Sequence, residues 1–215
     1  MQELSYNYPM VITWLGLSCF KISSGNLTLA TDPYGKQAGP TAPRGGTDIV
    51  ISSNIKNDNY NNWTSLGGPD AFVIDGPGEF DVKGLFVRGI PAENSVTIYS
   101  IRMEDIRLGF LGSLKQKELT DQQLEDLGEI DVLFVPVGGK SVCDAEEAVT
   151  IVNQCEPRMI VPMHYAQKDI KLPLDKLDVF LKEMGSTKAV PQDKLTIKKS
   201  NFAESGESEV IVLTS

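Results

Sequence analysis

The order in which strand-like and helix-like segments follow one another constrains this chain most. Its first half is cut into short β-favouring runs: Val11 to Leu15, Cys19 to Ser23, Leu27 to Thr31, Asp48 to Ser52, Ala71 to Asp75, Leu85 to Ile90, Val96 to Ile101 and Ile106 to Leu111. Gly16-Leu17-Ser18 and Ser24-Gly25-Asn26 punctuate the first three, which predicts a meander at the start of a sheet. The apolar run within Asp48 to Ser52 suits a strand buried on both faces. Lys36 to Gly46, rich in Gly and Pro, reads as a surface loop.

The second half alternates. Thr120 and Gln123 have the spacing of a capping box, Leu119 and Leu124 can staple it, and Gly128 stops the short helix that follows. Val132 to Val135 reads as a buried strand running into Pro136-Val137-Gly138-Gly139. Asp144 can cap a second helix with Glu147 at its third position, and Ala145, Ala148, Val149 and Val152 form its apolar face. Met159 to Val161 is another strand. Leu174, Leu177, Leu181 and Met184 share one side of a third helix, with Gly185 after it. Thr196 to Lys199 and Val210 to Leu213 close the chain as strands. Strands first and strand–helix alternation later imply two sheets with helices outside them.

At 215 residues and 41% hydrophobic content the chain reads as a single domain, 1–215, with residues 1–10 as an N-terminal extension. A net charge of −9 without a basic stripe excludes non-specific nucleic-acid binding. Cys19, Cys143 and Cys155 are too few for a disulfide framework, and no apolar run is long enough to span a bilayer. The expectation is therefore a cytoplasmic, acidic protein with no membrane partner, and a symmetric homo-oligomer is the default assembly. Asn26-Leu27-Thr28 and Asn62-Trp63-Thr64 match the glycosylation pattern, read here as chance occurrences.

Several segments then carry a family likeness. Ile12-Thr13-Trp14-Leu15-Gly16-Leu17-Ser18-Cys19-Phe20, Thr31-Asp32-Pro33-Tyr34, Asp48-Ile49-Val50-Ile51-Ser52, Gly76-Pro77-Gly78-Glu79-Phe80, Val135-Pro136-Val137-Gly138-Gly139 and Ile160-Val161-Pro162-Met163-His164-Tyr165 occur in order. Together they resemble the metallo-β-lactamase superfamily, in its branch of small bacterial and archaeal metal-dependent hydrolases, similar to ascorbate-6-phosphate lactonase-like proteins. The resemblance implies an α/β (α+β) fold, a four-layer αββα sandwich, with a metal site at one edge.

Laid on this chain, the family's His-x-His-x-Asp-His loop becomes Asn54-Ile55-Lys56-Asn57-Asp58-Asn59, so only Asp58 is kept. Leu17 stands at another histidine place, and Ser113 stands where the family has its bridging aspartate. The connection Pro91 to Ser95 carries no histidine. The final metal histidine is matched by His164, which is also the chain's single histidine. The resemblance thus implies a degenerate metal site: a pocket of Leu17, Asn54, Lys56, Asp58, Asn59, Ser113 and His164, with no cofactor. Lys56 is expected to pair with Asp58 across the vacated space, its charge replacing that of a metal. The implied function is a non-catalytic, hydrolase-like protein (a pseudoenzyme) that could hold a small anionic ligand. The alternative is an active metal-dependent hydrolase of a lactone, ester or phosphodiester, with one weakly bound Zn or Mn ion on Asp58 and His164.

Three other constellations are open. His164 could be a general base or a packed, hydrogen-bonded residue. Asp75, Glu79 and Asp81 flank Gly76-Pro77-Gly78 and could bind a hard cation or be solvated acids at a tight turn. Cys143, just before a helix, could have a lowered pKa and form a dyad with His164.

Overall fold

The computed structural model describes residues 8–38, 41–68, 70–202 and 208–215. In chain order its elements are β1 (Met10–Gly16), β2 (Cys19–Ser24), β3 (Leu27–Thr31), β4 (Ile49–Ile51), β5 (Phe72–Ile74), β6 (Gly78–Val82), β7 (Leu85–Pro91), β8 (Thr97–Met103) and β9 (Ile106–Phe110). There follow α1 (Asp121–Leu127), β10 (Val132–Pro136), α2 (Ala145–Cys155), β11 (Met159–Met163), α3 (Leu177–Glu183), β12 (Leu195–Ile197) and β13 (Glu209–Val210).

The strands form two mixed sheets, ordered β12-β1-β2-β3-β4-β5 and β13-β11-β10-β9-β8-β7-β6. Their inner faces meet in one apolar core. Phe20 of the first sheet packs on Phe134 of the second with ring centroids 4.7 Å apart, and Trp14 packs on Tyr165 at 4.9 Å. Alternation along each strand assigns the faces. Phe20, Ile22, Leu29, Ile49 and Ile51 point into this core, whereas Cys19, Ala30 and Val50 point outward into a second cluster with Leu17, Tyr34, Ala38 and Leu66. Helices α1 and α2 cover the outer face of the second sheet, and α3 packs on α2. The layers are those of an αββα sandwich. Over the first sheet, the outer layer among the described residues is built of loops and short 3-10 turns at Lys36–Ala38 and Trp63–Ser65.

Both expected capping boxes are present. Thr120 Oγ1 accepts the Gln123 N–H at 3.2 Å while the Gln123 side chain accepts the Thr120 N–H, and Asp144 and Glu147 do the same for α2. The departures have local causes. The run Gly78 to Val82, read as a turn with solvated acids, is the edge strand β6; Lys83 and Gly84 close its hairpin to β7 with φ of 53° and 82°. Asp75, Glu79 and Asp81 are exposed, and Glu79 accepts from Arg88 at 2.6 Å, so they gather no cation site. Helix α3 begins at Leu177, not Leu174, because Leu174 packs in the outer cluster of the first sheet. The strand expected at Thr196 to Lys199 is Leu195–Ile197, and Lys199–Phe202 turns as a 3-10 helix. Beyond β13 the Ile211 N–H donates to Ile160 O at 2.8 Å, and an isolated bridge joins Gln192 to Leu213. Most of the expected N-terminal extension lies outside the described residues, and β1 already starts at Met10.

Candidate functional site

The site lies where parallel strands of both sheets end. β3 leads into Asp32, β4 into Ser52 and Ser53, β9 into Gly112 and Ser113, and β11 into His164, while the β1–β2 turn supplies Leu17 and Ser18. Open α/β sheets place ligands at such carboxyl ends. Cross-sheet bonds fix the junction. His164 N–H donates to Leu17 O at 3.1 Å, Thr97 N–H to Ser53 O at 2.8 Å, and Tyr99 OH to Ser52 O at 2.7 Å. Leu17, Asp32 and His164 all adopt positive φ (51°, 38° and 56°), and Gly112 has φ 54°. Backbone strain of this kind costs about 1–2 kcal/mol per non-glycine residue and concentrates at functional edges. At Gly112 a Cβ would overlap Ser53, so glycine is required by space as well as by φ.

Two buried polar clusters fill the junction. In the first, Ser18 Oγ lies 3.0 Å from His164 Nδ1 and 3.3 Å from Gly112 O, and Tyr60 OH lies 3.4 Å from His164 Nε2. One tautomer makes every contact at once: Nδ1–H donates to Ser18, Ser18 donates to Gly112 O, and Tyr60 donates to Nε2. Ser18 and His164 have no exposure and Tyr60 has 2%. Burial pushes the imidazole pKa down from 6.5 to about 3, so the ring is neutral. In the second cluster, the Ser53 N–H donates to Asp32 Oδ1 at 2.6 Å and the Ser53 hydroxyl to Oδ2 at 2.7 Å. Ser113 joins through its N–H, 3.1 Å from Ser53 Oγ, and through its own Oγ at 3.3 Å. Desolvation raises the Asp32 pKa from 3.8 to about 8 against the two Ser53 hydrogen bonds, so the carboxyl is mostly protonated at neutral pH.

The seven residues singled out in the sequence divide between this interior and the rim. His164 and Ser113 are within it. Leu17 is buried beside it, with its side chain in the outer apolar cluster and its carbonyl accepting from Trp14 Nε1 at 2.8 Å. Asn54 and Asn59 are half-buried in the loop; the Asn54 side chain accepts from Lys56 N–H at 3.2 Å. Lys56 and Asp58 are exposed, and their expected ion pair does not form. Lys56 Nζ donates to Ser95 Oγ at 3.2 Å, and Asp58 Oδ1 accepts from Asn61 at 3.5 Å. Local loop partners outcompete a pairing that would order two solvated side chains for little gain. The Cys143–His164 dyad is also absent. The Cys143 thiol donates to Gln116 O at 3.4 Å, and burial raises its pKa to about 12, the opposite of a helix-activated thiolate. Sequence reasoning missed Ser18, Asp32, Ser53 and Tyr60; the one available signal was an acid, Asp32, directly ending an apolar strand.

These side chains do not fit a zinc pair. Zinc sites require three or four N, S or O donors. Here Asn54, Asn59, Lys56 and Ser113 offer amides, an amine and a hydroxyl, Asp58 faces solvent, and both ring nitrogens of His164 are already engaged. Among the described residues no group of three or more His, Cys, Asp or Glu side chains gathers to hold a metal.

Comparison with known proteins places these observations in a lineage. Residues 11–164 match the β-lactamase superfamily domain. A Thermotoga maritima protein, provisionally named a Zn-dependent hydrolase of the metallo-β-lactamase superfamily, is 32% identical with a TM-score of 0.77, covering 95% of this chain and 98% of its own. A Pyrococcus furiosus UPF0173 protein is 28% identical over 180 residues, 73% of this chain and 83% of the relative. A Methanoculleus marisnigri relative named a UPF0173 metal-dependent hydrolase is 27% identical over 191 residues, 73% of this chain and 81% of its own.

Proposed function

Because the chain belongs to the β-lactamase superfamily domain family, we propose that it keeps the hydrolase fold as a metal-independent binding protein. The observation that carries this reading is the state of His164, which the resemblance matches to the family's final metal histidine: it has no exposure, and both its ring nitrogens are hydrogen-bonded, to Ser18 and Tyr60. Freeing it for a metal would open two buried hydrogen bonds, each worth about 1 kcal/mol or more. The rim supports a small anionic ligand. Lys56 is exposed and, among the described residues, its amine meets only a neutral hydroxyl, beside the half-buried amide of Asn54.

The test is thermal unfolding during titration with Zn²⁺ and Mn²⁺. Absence of a saturable shift is expected, since only an ion that binds the folded chain raises its stability. The combined variant Asn54→His, Lys56→His, Asn59→His, Ser113→Asp is expected to acquire a shift; a shift in the unaltered protein would defeat the proposal. The ligand half is tested by calorimetric titration with succinate, whose heat should vanish in Lys56→Gln. A second reading, a metal-dependent hydrolase of a lactone, ester or phosphodiester, is favoured by the relatives' names. It requires metal held on Asp58 and His164, which the same titration detects.

A further inference from the structure

On the outer face of the second sheet, away from the carboxyl-end site, we propose a second, separate anion site that takes a single phosphate group between Arg102 and Arg107. The register places these arginines directly opposite each other on β8 and β9. Like charges facing across an antiparallel ladder destabilise it. Neither guanidinium has a carboxylate partner among the described residues. Such a pair is expected to be relieved by an anion, and guanidinium forks match the oxygens of phosphate.

The surroundings build a cleft of about 250 Å³ that includes Phe86, Arg88, Ser100 and Glu125 as well as the two arginines. Phe86 is the cross-strand neighbour of Arg102 on its other side, and the Arg102 guanidinium lies 5.5 Å over its ring, which holds the fork without neutralising it. Arg107 reaches the end of α1, where Gly128 gives it room: a Cβ there would meet Arg107 Nη1 at 2.5 Å. Nearby acids are mostly committed elsewhere. Asp126 also lines the cleft, but it and Glu79 hold Arg88, and Asp131 holds Lys199 while accepting the Arg107 backbone N–H. Glu125 lines the cleft with no ion pair among the described residues, and it opposes an anion there. The cleft has room for a phosphate and a small attached group, so the ligand is inorganic phosphate or the phosphate end of a small monoester.

Titration calorimetry at constant ionic strength tests this, using inorganic phosphate and glycerol 3-phosphate. A Lys56→Gln background removes any contribution from the rim proposed above, so failure of one reading does not touch the other. One saturable site is expected. Arg102→Gln and Arg107→Gln should each weaken it about tenfold, the loss of a charge-assisted hydrogen bond. Glu125→Gln should tighten it about two- to fivefold. Tighter binding of the monoester assigns the site to a phosphorylated metabolite, and equal or weaker binding assigns it to free phosphate. No saturable heat, or heat unchanged in both arginine variants, overturns the proposal.

Discussion

Asp32 and His164 are buried with opposite proton preferences, and this sets how the fold responds to pH. Asp32 is raised from 3.8 to about 8, so between those values the folded chain keeps a proton that the unfolded chain has released, and stability falls as pH rises. His164 is lowered from 6.5 to about 3, so the folded chain lacks a proton that the unfolded chain binds, and stability rises with pH over that window. From about pH 4 to 6.5 the two slopes oppose; from 6.5 to 8 only Asp32 acts. Chemical denaturation should show a decline of about 1–2 kcal/mol between pH 6.5 and 8. Asp32→Asn keeps the side chain's shape but removes the titrating group, and should abolish that decline; a variant that kept it would refute the assignment. Tyr60→Phe leaves His164 Nε2 without its donor and should cost about 1–3 kcal/mol, read as a lower urea midpoint at unchanged slope.

At the scale of elements, the ends of strands matter more than their middles. Gly112 follows β9 with φ 54° and lies against Ser53. Gly112→Ala should destabilise by more than about 2 kcal/mol, combining backbone strain with displacement of the Asp32–Ser53 pair. Asp144→Ala removes only the α2 cap and should cost about 1 kcal/mol, measured in the same denaturation series. Equal losses in the two would show that the junction is not under tight packing. The caps, the buried strand Ile49–Ile51 and the stop at Gly128 were legible because each is local chemistry. The strand Gly78–Val82 was not, because Gly-Pro-Gly ahead of it reads as a turn and its exposed acids hide the pleat. Leu174 obeyed the helical period of its neighbours yet packs elsewhere, since periodicity cannot reveal which of two apolar clusters will claim a side chain.

At the scale of the molecule, the two-sheet sandwich and the family were readable from ordered landmarks spread over most of the chain. The interior that occupies that edge was not. Ser53 and Asp32 are 21 residues apart, and Tyr60 and His164 are 104 apart. Whether Asp32 and His164 carry charge depends on burial that no local pattern encodes. The loop illustrates the limit: the sequence suggests that Lys56 turns inward to Asp58, whereas the folded loop sends Lys56 to Ser95 and brings Tyr60 inward instead. We propose that a neutral, hydrogen-bonded interior stands in place of a metal centre. Elemental analysis of protein purified without chelators, after growth with zinc and manganese supplied, tests it most directly. The account predicts metal far below one ion per chain; two tightly held zinc ions per chain would contradict it.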